Sequence, residues 1–95
     1  MAPWEKVDAT YRRACELLGQ GPDLHTSLGR AVRQLDELAR EDFPTEDLWD
    51  AHRRVLEVRH LLDALPYEAT RGTAQRIQAL QARIGRERAS ALGRR

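Results

Sequence analysis

Residues 45–66 read TEDLWDAHRRVLEVRHLLDALP, and the apolar spacing in this stretch decides the fold class. At about 100° per residue, Leu48, Trp49, Ala51, Val55, Leu56, Val58, Leu61, Leu62 and Leu65 fill an arc of about 240° on a helix running from 48 to 65. Thr45 is a natural N-cap, Glu46 and Asp47 sit in the first turn where the helix dipole favours anions, and Pro66 ends the run. A surface helix needs a much narrower stripe. This helix is therefore expected either to be the central one of a bundle or to offer part of its arc as an interface, with Trp49 as an anchor.

The flanking sequence carries the same period. Upstream, Pro3 suits a helix start, and Trp4, Val7, Tyr11, Ala14, Cys15 and Leu18 recur at steps of three and four. Gly19-Gln20-Gly21 is read as a stop using the left-handed cap that glycine tolerates, and Pro22 as the opening of the next helix. Leu24, Leu28, Ala31, Val32, Leu35, Leu38 and Ala39 form a second stripe ending near Arg40. Glu41-Asp42-Phe43-Pro44 then reads as a connection. Downstream, Pro66 to Gly72 is read as a linker and Thr73 as the cap of a last helix, with Ala74, Ile77, Leu80, Ile84, Ala91 and Leu92 on one side. Gly85 costs that helix about 1 kcal/mol relative to alanine, enough to divide it in two. The expectation is a single all-α domain over 1–95, a small antiparallel four-helix bundle, or five-helix if the last segment breaks at Gly85.

Composition agrees with helix over sheet. Leucine and alanine number 13 each, against six valines and isoleucines together, and 33% of residues are charged. The chain is long enough for one core, and its size leaves a thin margin of stability. No stretch approaches the ~18 apolar residues needed to cross a bilayer, and no leader pattern opens the chain, so a cytoplasmic location is expected. Cys15 is the one cysteine, which rules out an internal disulfide and a cysteine-based metal site.

A net charge of +1 conceals a polarity along the chain. Residues 36–50 hold Asp36, Glu37, Glu41, Asp42, Glu46, Asp47 and Asp50 against Arg40. Residues 71–95 hold Arg71, Arg76, Arg83, Arg86, Arg88, Arg94 and Arg95 against Glu87. On a continuous last helix Arg76, Arg83 and Arg94 fall within about 20° of one another, beside the stripe of Ile77, Leu80 and Ile84. The bland reading is a solvated face or internal neutralisation of the acidic stretch. The functional reading is a partner-binding edge composed of Arg76, Arg83, Arg94, Ile77, Leu80 and Ile84, with Trp49 elsewhere.

Residues for chemistry are sparse. His25, His52 and His60 lack the spacing and companion ligands of a zinc site, and a structural role is expected, with His60 and Asp63 placed to share a hydrogen bond. Cys15 falls on the apolar face of the first helix and is expected to be a small buried hydrophobe. The glycines follow no phosphate-binding spacing. The exposed strip of the third helix (Asp50, Arg53, Arg54, Glu57, His60, Ala64) is of mixed charge and preceded by an acidic turn, which a duplex would avoid. No catalytic residue, cofactor or metal is assigned.

From about Asp23 to Arg95, roughly three quarters of the chain, the order of features resembles small uncharacterised all-helical bacterial proteins, some thought to accompany multi-component conflict or defence systems. The resemblance rests on Leu28 to Leu38, Arg40-Glu41-Asp42-Phe43-Pro44, Ala69-Thr70, and a closing helix with Ile84, Ala89, Ala91 and Leu92. It implies an accessory role beside a larger partner. The expected function is non-enzymatic protein–protein interaction, self-association included. The alternative is a small helical regulator touching nucleic acid through the arginine-rich C-terminal segment.

Overall fold

A computed structural model describes residues 4–93; Pro3, Arg94 and Arg95, which carried expectations above, lie outside the described residues. The fold is all-α. Helices α1 (Trp4–Leu18), α2 (Leu24–Leu35), α3 (Glu46–Leu56) and α4 (Tyr67–Gly93) form a bundle, with single 3-10 turns at Arg40–Asp42, Glu57–His60 and Leu62–Ala64. Each helix buries one stripe: Val7, Tyr11, Ala14 and Leu18 from α1, Leu28, Ala31, Val32 and Leu35 from α2, Leu48, Val55 and Leu56 from α3, and Ala74, Ile77, Leu80 and Ile84 from α4. Burial of these side chains is the main favourable term, at roughly 1.5 to 3 kcal/mol for each large one.

The helix that packs broadly against all three others is α4, whereas α3 packs mainly on α4. The expectation of a central third helix is thus corrected, and so is its length. It ends at Leu56, not Leu65, and continues as tight i→i+3 turns closed by Leu61 N–H to Val58 O (2.8 Å) and Ala64 N–H to Leu61 O (2.9 Å). Two features mark the turns beyond the break. Arg59 is drawn sideways to Asp36 at the end of α2 (2.8 Å). Pro66 forces Leu65 out of the helical region, to φ −70° and ψ 127°. The apolar arc is accordingly split: Leu62 and Leu65 are half-buried, and Leu61 stands exposed.

Pro66 to Gly72 is not a linker. The Pro66 carbonyl accepts both the amide N–H and the hydroxyl of Thr70, and Thr73 donates its hydroxyl to Ala69 O, so α4 starts six residues ahead of the expected cap. Nor does Gly85 divide the helix, which runs unbroken for 27 residues. At about 1.5 Å per residue that is about 40 Å, which accounts for most of the 46 Å long axis. One glycine is not enough to break a helix whose preceding turns are anchored by Ile77, Leu80 and Ile84.

The turn after α1 also differs from expectation. No described residue has positive φ, so no left-handed cap is used. The chain reverses on i→i+3 bonds, Gly19 N–H to Glu16 O (3.1 Å) and Gln20 N–H to Leu17 O (3.2 Å). Gly21 is required for space, because a Cβ there would lie 2.0 Å from Ser27 Oγ. The α2 cap is Asp23, one residue past Pro22, whose Oδ1 accepts Thr26 N–H at 2.7 Å. Thr45 caps α3 as expected, accepting Leu48 N–H at 3.2 Å.

Candidate partner-binding groove

Three polar features organise the bundle, and only one of them opens onto a groove with unbalanced charge. The first is internal. Tyr11 on α1 and His52 on α3 are fully buried and share a 2.7 Å hydrogen bond between the phenol oxygen and His52 Nδ1. Phe43, Trp49 and Tyr11 surround the imidazole, with ring centroids 4.7, 5.7 and 5.8 Å away. Burial pushes the His52 imidazole down to about 4, with Asp36 pulling it up and Arg59 pushing it down. Burial pushes the Tyr11 phenol far up, and Cys15 adds to this. Both groups are held neutral and face the core, which makes the pair a structural tie between α1 and α3. Periodicity revealed neither the pairing nor the core role of Phe43, which the sequence placed in a connection.

The second feature is a mixed groove beside the Glu57–His60 turn, lined by Asp36, Trp49, Asp50, Arg53, Arg54 and Arg59 among others. Its charges largely cancel in pairs, Arg59 with Asp36 at 2.8 Å and Arg53 with Asp50 at 3.0 Å. Trp49 lies half-buried on this side, against Phe43 (5.5 Å between centroids). It belongs to the aromatic cluster and also lines this groove. His60 Nε2 accepts a hydrogen bond from Arg59 Nε (3.2 Å), and no bond joins His60 to Asp63 among the described residues.

The third is a groove of about 640 Å³ between α3 and α4. Val55 and Leu80, both buried, form its base with Ala51 and Ala79, and Arg54, Arg76, Arg83 and Arg86 line it against the single acid Glu57. Arg83 is held by Glu87 at 2.6 Å. Among the described residues, Arg54, Arg76 and Arg86 make no ion pair, and all three are exposed. A cluster of like charges at a groove repels itself and attracts anions, and arginine forks bind carboxylates bidentately.

The structure thus redistributes the sequence-based site. Arg76 and Arg83 do share one groove with Arg86 of the same helix and with Arg54, which only the packing of α3 on α4 brings to them. Arg94 lies outside the described residues. Ile77, Leu80 and Ile84 are 0%, 6% and 0% exposed and belong to the core, and of the three Leu80 alone reaches the groove, at its base. This follows from the bundle geometry, since a stripe flanked by arginines is also the stripe that α4 must turn inward.

Among the described residues, no ion pair joins the acidic stretch to the basic one. Asp36, Asp42, Glu46 and Asp50 pair with Arg59, Lys6, Arg40 and Arg53, while the C-terminal Arg88 pairs with Asp8 and Arg83 with Glu87. Cys15 is half-buried, and burial pushes its thiol up, the opposite of activation. No described helix is long and apolar enough to cross a membrane.

The fold and groove define a small all-α bundle with a cationic cleft. No protein-family model, curated protein or solved structure matches the chain.

Proposed function

We propose that this chain is a non-enzymatic interaction subunit that holds an acidic surface of a partner protein in the groove between α3 and α4. The observation that carries this reading is the convergence of Arg54, Arg76 and Arg86, none in an ion pair among the described residues, on one apolar-based cleft. Such an arrangement serves steering and orientation of an anionic partner. Consistent with the resemblance of residues 23–95 to small bacterial helical proteins, the partner is a component of a larger cytoplasmic assembly to which this chain is an accessory. Nucleic acid is the less favoured ligand. Two arginines of the basic segment are engaged internally, Arg83 by Glu87 and Arg88 by Asp8, which lowers the number of phosphates the segment can neutralise.

The test compares proteins retained by the wild-type chain and by the Arg54→Glu, Arg76→Glu, Arg86→Glu variant, after nuclease treatment, at about 0.15 M salt. An acidic protein held by the wild type, lost by the variant and recovered by the variant when its own carboxylates are exchanged for lysines is the expected result. Equal retention by both chains, or retention abolished by the nuclease, would overturn the reading.

A further inference from the structure

We infer that the segment seated in the α3/α4 groove is an acidic amphipathic helix of the partner, laid along both helices; this rests on the groove reading above. The groove is an open cleft between two helices, the geometry that accepts a third helix. Its base combines Val55 and Leu80 with the small residues Ala51 and Ala79, which leave room for a helix to approach. The repeat of Arg76 and Arg83 along α4 matches a partner helix, with Arg83 bonding Glu87 through Nε and keeping its other N–H groups for the partner. Along α4, Arg83 lies about 10 Å and Arg86 about 15 Å beyond Arg76, taking about 1.5 Å per residue. Carboxylates seven residues apart on a helix repeat at the first of these distances on one face. In an extended strand the same step is about three residues, and these point to opposite faces.

A second copy of this chain does not supply such a segment. Its acids without ion pairs around the acidic stretch, Glu37, Glu41 and Asp47, lie in the turn after α2, in a 3-10 turn and in the first turn of α3. They do not run along one helix. The charge and the shape of the groove therefore both point to another protein, with carboxylates at i and i+7 flanking a small apolar face.

The probe is a fluorescein-labelled acidic peptide of about five helical turns, with leucine and alanine on one face and glutamates at i and i+7 beside it. Its control is an isomer of the same composition with a proline moved to the centre. Anisotropy is read against the full-length chain at about 0.15 M salt. The helical peptide is expected to bind roughly 100-fold more tightly than its proline isomer, the factor that an interior proline takes from helix formation. Binding is expected to be lost to the Arg54→Glu, Arg76→Glu variant, whose circular dichroism stays unchanged. Equal binding of both peptides, still lost on charge reversal, overturns the helix inference and leaves the acidic groove standing. Binding of neither peptide, or binding of either that survives charge reversal, overturns the groove with it. So does tighter binding of a duplex DNA, and a wild-type dimer that Arg76→Glu dissociates shows the occupant to be a second copy.

Discussion

Asp8 and Arg88, 80 residues apart in sequence, meet at 2.5 Å, and the Asp8 side chain is 1% exposed. This contact ties the first turns of α1 to the stretch of α4 that lies beyond Ile84, its last buried residue. Arg12, one turn along α1, bonds the same oxygen at 3.2 Å, while Oδ1 has no hydrogen-bond partner among the described residues. Removing Arg88 leaves a buried carboxylate with one exposed cation for compensation. Arg88→Ala is expected to lower stability by about 1 to 3 kcal/mol, discounted from the fully buried case because Arg88 is partly exposed. Arg12→Ala should cost less than about 1 kcal/mol. Urea denaturation of the two variants checks the order, and an equal or reversed ranking contradicts the anchor.

The Tyr11–His52 tie predicts a cost out of proportion to one oxygen atom. Tyr11→Phe keeps the ring and leaves Nδ1 of a fully buried imidazole without a partner, while Nε2 already lacks one among the described residues. A loss of about 1 to 3 kcal/mol follows from stranding a buried polar group. The double variant Tyr11→Phe, His52→Leu should recover part of it in chemical denaturation, and a double variant weaker than the sum of the single losses would argue against the pairing.

His52 also sets a pH window. Its imidazole is pushed down to about 4 by burial, against about 6.5 in an unfolded chain. Between those values the unfolded state binds the extra proton, so stability is complete above about pH 6.5 and falls as the pH drops toward 4. The loss is about 3 kcal/mol at most, at about 1.4 kcal/mol per pH unit. Denaturation midpoints measured from pH 7.5 to 4.5 should decline in the wild type and flatten in His52→Leu. A decline of the same size in both would place its origin elsewhere, in carboxylates such as Asp42, which its bond from Ala39 N–H holds below the usual range.

Two glycines predict opposite signs. Gly21→Ala puts a Cβ 2.0 Å from Ser27 Oγ and 3.1 Å from Ser27 Cβ, and Ser27 is itself buried and bonded to Asp23 O. It should destabilise by about 1 to 3 kcal/mol, the range for overpacking. Gly85→Ala meets nothing within 4 Å inside a continuous helix and should stabilise by about 0.5 to 1 kcal/mol. Thermal melts of the two variants shifting in the same direction would contradict the assigned roles.

The helical stripes were legible in the sequence because period and punctuation agree at Val7, Leu28, Leu48 and Ile77. The Thr45 cap was legible for the same reason, since its chemistry is local. What the sequence hid depends on distance. Beyond the break after Leu56 the chain makes the Arg59–Asp36 pair with the end of α2, which no local pattern announces. The early start of α4 is local, and was masked because Thr70 and Thr73 turn their hydroxyls onto their own helix where Thr45 caps. Arg76 and Arg83 were read from one helix, yet Arg54 completes their groove from α3, and no one-dimensional pattern joins the two helices. Asp8 and His52 look like surface polar residues until the tertiary structure buries them.

Amide chemical-shift mapping of the full-length chain, titrated with the acidic helical peptide, tests the central claim most directly. The account predicts that shifts concentrate at residues 51–57 and 76–86, and that the Arg54→Glu, Arg76→Glu variant shows none. Shifts centred instead on the exposed Leu61 and Tyr67, or on the mixed groove around Asp36 and Arg59, would contradict it.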